Sequence, residues 1–153
     1  MPPPTDAPGI VVPPPIVFLL GFLAGMGLDA VLDLQRFTLP GFVGPTLMLA
    51  GAATGLWGAA TFRRHRTGIL PHQAAVTVVT TGPYRFTRNP MYLGLATVHV
   101  GTAMLLGRTG PLIALLPTIA ALQYLVIARE ERYLAAKFGE SYRRYRQRVR
   151  RWL

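Results

Sequence analysis

An all-helical membrane protein, about four spanning helices with an amphipathic tail, is the fold class this sequence predicts. Three observations predict it. Half of the 153 residues are hydrophobic and only 14% are charged, against roughly 25% in ordinary soluble domains. Uncharged windows recur at bilayer length, over residues 38–62, 89–107 and 109–128, where a spanning helix needs about 20 apolar residues. The basic residues gather at one end of those windows. Arg63, Arg64, Arg66, Arg85 and Arg88 lie between the second and third windows. Nine more, from Arg129 to Arg151, follow the last, leaving only Arg36 and Arg108 for the other side.

That distribution is the positive-inside pattern and puts both termini in the cytoplasm. It explains the net charge of +10 without nucleic acid, and no nucleic-acid partner is expected. The expected setting is a bacterial or archaeal inner membrane. The chain has no cysteine and a single serine, Ser141, which removes thiolate and most serine-nucleophile chemistry. His65, His72 and His99 have no metal-ligand spacing, so no metal is expected.

Residues 1–13 read as a Pro-rich, disordered lead-in, and 14–153 as a single domain. The first helix is expected over about 14–33, starting at Pro14 or Pro15 because proline fits a first helical turn. Asp29 and Asp33 share a face near its end and read as solvated. The second helix, about 40–62, is rich in Gly and Ala, which lets helix backbones approach closely in lipid. Residues 67–81 read as an extended or loop segment at the cytoplasmic face. The third helix is expected over about 90–107, starting at Pro90 with Asn89 as its N-cap. Gly110-Pro111 marks the turn into a fourth helix, about 110–128. His99, mid-helix, reads as a hydrogen-bonded bundle residue. In the tail, 129–153, Leu134, Phe138, Tyr142, Tyr145, Val149 and Trp152 recur on one helical face, with arginines opposite and a break at Gly139.

Two polar clusters should meet at the cytoplasmic end. Tyr84, Arg85, Arg88, Asn89 and Tyr92 stand at the start of helix three, and Glu130 and Glu131, the only adjacent acids, follow helix four. Helix N-termini present unpaired N–H groups that suit carboxylates and phosphates. An acid pair opposite would suit an amine, a ribose hydroxyl or a cation. Arginines and tyrosines at a membrane edge also serve as plain interface anchors.

The run Gly-Pro-Tyr-Arg-Phe-Thr-Arg-Asn-Pro-Met-Tyr-Leu-Gly over residues 82–94, followed by the Glu-Glu-Arg-Tyr tail from 130, resembles the signature of integral-membrane methyltransferases. These are the isoprenylcysteine carboxyl methyltransferase and phospholipid (phosphatidylethanolamine) N-methyltransferase group. The likeness covers about 68–153, a little over half the chain. It implies a helical bundle that binds S-adenosylmethionine at its cytoplasmic face and methylates a lipophilic or lipidated acceptor drawn from the bilayer. That acceptor is an isoprenylcysteine-like carboxylate, a phospholipid amine or a small thiol. Carried over by motif, Tyr84, Arg88, Asn89, Pro90, Tyr92 and Gly94 would line the cofactor pocket. Glu130 and Glu131 would stand near the methionyl amine or ribose, and Tyr142 and Arg146 would close the site. Glu130 and Arg88 are the catalytic candidates, with Glu130 or Glu131 as the acceptor of an amine proton. The chain departs from the family pattern at Asn89, where many members carry His, and at Arg150, where a proline is usual. Competing readings are an NADPH-dependent membrane sterol or steroid reductase and a non-catalytic membrane scaffold. The oligomeric state is left open.

Overall fold

The computed structural model describes residues 12–67 and 75–153. The lead-in expected over 1–13 lies almost wholly outside the described residues. So does the middle of the 67–81 segment, with Gly68, Pro71 and His72. Among the described residues every regular element is helical: α1 Pro14–Leu32, α2 Val43–Arg64, a 3₁₀ turn Gly82–Arg85, α3 Pro90–Leu105, α4 Thr109–Leu122, α5 Ala128–Phe138 and α6 Glu140–Arg148. A π-helical turn, Gln123–Ile127, joins α4 to α5 without a break. Among the described residues two helices are long and apolar enough to cross a membrane, Pro14–Leu32 and the continuous Thr109–Phe138. By that length-and-hydropathy measure α2 and α3 fall short. α2 is diluted by glycine and ends in Arg63 and Arg64, and α3 has 16 residues.

Most boundaries follow local chemistry. Pro14 and Pro15 occupy the first turn of α1. The start of α2 slips past Gly41 because Pro40 and Val43 close a turn, Val43 N–H donating to the Pro40 carbonyl at 3.0 Å. The connection between α3 and α4 is built differently from the expectation. It turns at Gly107, whose φ of +60° suits glycine. Gly110 and Pro111 lie inside the first turn of α4, where proline is tolerated.

The helices pair antiparallel, α2 on α3 and α1 on α4. Gly44, Gly51 and Gly58 are seven apart on α2, as are Gly94 and Gly101 on α3, so each set keeps to one seam. A Cβ on Gly51 would sit 2.6 Å from the Gly94 carbonyl oxygen, and one on Gly94 would sit 2.6 Å from the Gly51 oxygen. The backbones touch because nothing projects between them.

On the α1–α4 seam the expectation for Asp29 is overturned. It is 6% exposed, and its Oδ1 accepts the Gly110 N–H at 2.7 Å. Its carboxylate takes one of the donors that a helix start leaves unpaired, so it is held inside the bundle and not solvated. His99 is bonded through Nε2 to the Pro111 carbonyl at 2.9 Å, with the rings of Phe18 and Phe22 packed edge-on against it. The apolar core, Val17, Phe18, Tyr92, Ala96, Leu122, Val126 and Ile127, lies between α1, α3 and the π turn, directly beneath the polar end.

Candidate active site

The segment leading into α3 is shaped before any ligand contact is considered. Gly82 takes φ +59° and opens the 3₁₀ turn that buries Tyr84. The Tyr84 ring stacks on Phe62 of α2, centroids 4.7 Å apart and planes 17° apart. Its backbone carbonyl accepts the Tyr145 hydroxyl of α6 at 2.7 Å. Arg85 faces out and lies over the Phe86 ring, away from the cluster.

Asn89 occupies the position before α3, but its side chain does not cap the helix. Its Nδ2 donates instead to the Arg151 carbonyl at 2.9 Å. The C-terminus has come back across this segment and offers a better acceptor. The Thr87 hydroxyl donates to the same carbonyl at 3.1 Å, and Arg88 N–H donates to the Arg150 carbonyl at 3.0 Å. Residues 149–153 thus form a strap over residues 87–89. Trp152 packs against the apolar core below.

The two polar clusters meet. Tyr92 donates its hydroxyl to Glu130 Oε1 at 2.6 Å. Arg88 Nη1 donates to Glu131 Oε1 at 2.8 Å. Arg151 grips Glu131 with both ends of its guanidinium, Nε to Oε1 at 2.9 Å and Nη2 to Oε2 at 2.7 Å. The fork geometry of arginine matches a carboxylate in this way. The side chains of Arg88 and Glu131 are each only 10% exposed, so the network is largely removed from water. Glu131 is therefore saturated by two cations, while Glu130 is half-buried and bonded to a neutral phenol. The π turn immediately before this stretch inserts an extra residue into the helical register, a feature frequent at functional sites.

Three phenols of the cluster lie outside the helices read as spans. Burial pushes Tyr84 and Tyr145 well up from the ordinary phenol value, each reinforced by a neighbouring tyrosine. Burial also pushes Tyr142 up, with the charge of Glu131 adding to it and that of Arg88 opposing. All three keep their protons at neutral pH and remain donors. The hydrogen bond that Arg151 donates to Glu131 pushes its guanidinium up as well. Among the described residues, two buried atoms in the cluster have no hydrogen-bond partner, the Tyr84 hydroxyl and Arg88 Nε.

Other predicted positions fall at the edge of this cluster. Tyr142 is buried on the inner face of α6. Arg146 is exposed on the same helix and acts on Tyr142 only through its charge. Pro90 and Gly94 lie in the α2–α3 seam, Pro90 against Gly58 and Gly94 against Gly51. Sequence reasoning missed Arg151, Thr87 and the hydroxyl of Tyr145 as structural partners.

Residues 40–141 match the model of the phospholipid methyltransferase family. The chain belongs to that family. The matched span of this methyltransferase-family chain runs from the start of α2 into α6 and includes Arg88, Tyr92, Glu130 and Glu131. Tyr142, Tyr145 and Arg151 lie beyond it. The chain is 43% identical over 63 residues to an uncharacterised protein of Haemophilus influenzae, covering 41% of this chain and all of that one. It is 38% identical over 74 residues to the protein-S-isoprenylcysteine O-methyltransferase of Schizosaccharomyces pombe, covering 47% of this chain but 30% of that longer protein. No solved structure matches. Family and apolar helices together support a membrane methyltransferase and imply a methyl donor.

Proposed function

We propose that this chain is an integral-membrane, S-adenosylmethionine-dependent methyltransferase acting on a lipophilic or lipidated acceptor. In this reading α1 to α4 span the bilayer as four antiparallel helices of one domain, residues 14–153. Both termini are cytoplasmic, at the end where the arginines gather. The observation that carries it is the buried junction of Arg88 and Tyr92 with Glu131 and Glu130, inside the span that matches the family.

The residues present fit the donor. A zwitterionic amino acid with a ribose needs an acid for its amine and donors for its carboxylate. Glu130 supplies the acid. The unpartnered Tyr84 hydroxyl and Arg88 Nε supply donors that a bound ligand would satisfy, since buried polar groups left unpaired cost about 1–3 kcal/mol each. When bound, S-adenosylmethionine supplies a methyl group on a positively charged sulfur. The chain's own part is to bind, orient and exclude water. Arg88 and Arg151 fix Glu131 and thereby the start of α3, and the aromatic underside of α6 covers the junction.

The experiment is methyl transfer from radiolabelled donor to a membrane lipid extract. Label is expected in the organic phase with the native chain, and loss of most of it with Glu130→Gln. Label absent from every lipid fraction with the native chain would refute transfer to a lipid acceptor.

A further inference from the structure

The tail arginines divide into two groups. Arg151 is engaged by Glu131, and Arg143 pairs with Glu140, the acid of α6, at 3.0 Å. Arg144, Arg146, Arg148 and Arg150 are exposed and face no carboxylate among the described residues. Arg144 and Arg148 stand four apart on one helix, where like charges repel. The helix dipole accounts for Arg146 and Arg148 in the last turn. It does not account for Arg144.

These side chains also shape a space. A groove of about 440 Å³ is lined by Ser141, Arg144, Gln147 and Arg148. A hydroxyl, an amide and two guanidiniums make a lining rich in donors and empty of acid, which is the chemistry that holds a phosphate. Its direction follows from helix geometry. At about 100° per residue, Ser141, Arg144 and Arg148 form a ridge roughly a quarter turn from Tyr142 and Tyr145. Those two tyrosines are buried, and Tyr145 is bonded to Tyr84. With that face fixed against the bundle, the ridge points sideways along its rim. Tyr84 also stacks on Phe62, next to Arg63 and Arg64, so the ridge lies at the basic end. In a membrane-embedded bundle, lipid headgroups stand at that level.

We propose that this ridge is a binding site for the phosphate of anionic phospholipid headgroups, holding α6 against the bilayer surface. Lipid phosphate neutralises Arg144 and Arg148 in the groove while Ser141 and Gln147 add hydrogen bonds. The strap of residues 149–153 follows directly from α6, so the same contact steadies the cover over Glu131. The inference needs only the membrane setting, and it stands or falls separately from methyl transfer.

The test is native mass spectrometry of the full chain released from mixed vesicles of phosphatidylglycerol and phosphatidylcholine. The native chain is expected to retain the anionic lipid preferentially. Arg144→Gln with Arg148→Gln should lower that preference on the order of tenfold. Arg144→Lys with Arg148→Lys, which keeps the charge, should retain most of it. Millimolar inorganic phosphate should leave it in place. An unchanged preference in the Gln pair overturns the proposal, as does an equal loss from Arg63→Gln with Arg64→Gln, which would mean diffuse charge. Loss of preference on adding inorganic phosphate would assign the groove to a free anion and overturn it too.

Discussion

Glu130 and Glu131 are adjacent in sequence and alike in chemistry, yet the structure gives them different surroundings. Glu131 accepts from Arg88 and from both ends of Arg151. Glu130 accepts from Tyr92 and stays partly open. Glu131→Gln is therefore expected to destabilise the fold by about 3 kcal/mol, since it leaves a buried guanidinium without its counter-ion. Glu130→Gln keeps an acceptor for Tyr92 and is expected to cost within about 1 kcal/mol. It should instead weaken methyl-donor binding by about tenfold or more. Thermal unfolding in detergent and calorimetric titration separate the two effects, and equal profiles for the two variants would contradict the division of roles. The buried phenols give a pH dependence. Tyr84, Tyr142 and Tyr145 have folded pKa values raised above the unfolded value, which is about 10. The stability they contribute is whole below that pH and is lost as pH rises towards and through the folded values. Unfolding temperature should fall with increasing alkalinity, and the fall should be smaller in Tyr145→Phe.

At the scale of elements, the α2–α3 seam rests on glycines that could be seen in the sequence as small residues but not assigned to a face. Gly51→Ala and Gly94→Ala each place a methyl 2.6 Å from the opposing carbonyl oxygen. Each is expected to destabilise by about 1–3 kcal/mol, the usual cost of overpacking. Gly27→Ala on α1 meets nothing within 4 Å and should be neutral or stabilising by up to about 1 kcal/mol. Unfolding curves for the three variants check this, and a Gly94→Ala as harmless as Gly27→Ala would contradict the seam. Helix positions were legible because apolar length and Pro90 or Pro14 signal them locally. Of three element-level features that were not legible, two depend on a partner distant in sequence. Asp29 reads as a helix-end carboxylate until Gly110 is packed beside it. Asn89 reads as a cap until the Arg151 carbonyl arrives. Nothing in Gln123–Ile127 announces a π turn.

At the scale of the molecule, the meeting of the start of α3 with the end of α4 was legible from the sequence. A hairpin must return its polar ends to one side, and Arg88, Tyr92, Glu130 and Glu131 do meet there. The strap was not legible. Arg151 is one of nine basic residues after Ala128, and only the fold distinguishes the one that reaches Glu131 from those that face out. The result is a bundle whose polar end is closed from above by its own C-terminus, with two unpartnered buried polar atoms beneath. This enclosed junction is proposed to bind a sulfonium methyl donor. The most direct measurement is thermal stabilisation of the full chain in detergent by S-adenosylmethionine, S-adenosylhomocysteine and NADPH in parallel. The two sulfur ligands should raise the unfolding temperature, NADPH should not, and Arg88→Ala should abolish the shift while the protein still unfolds cooperatively. Stabilisation by NADPH alone, or by none of the three, would contradict it.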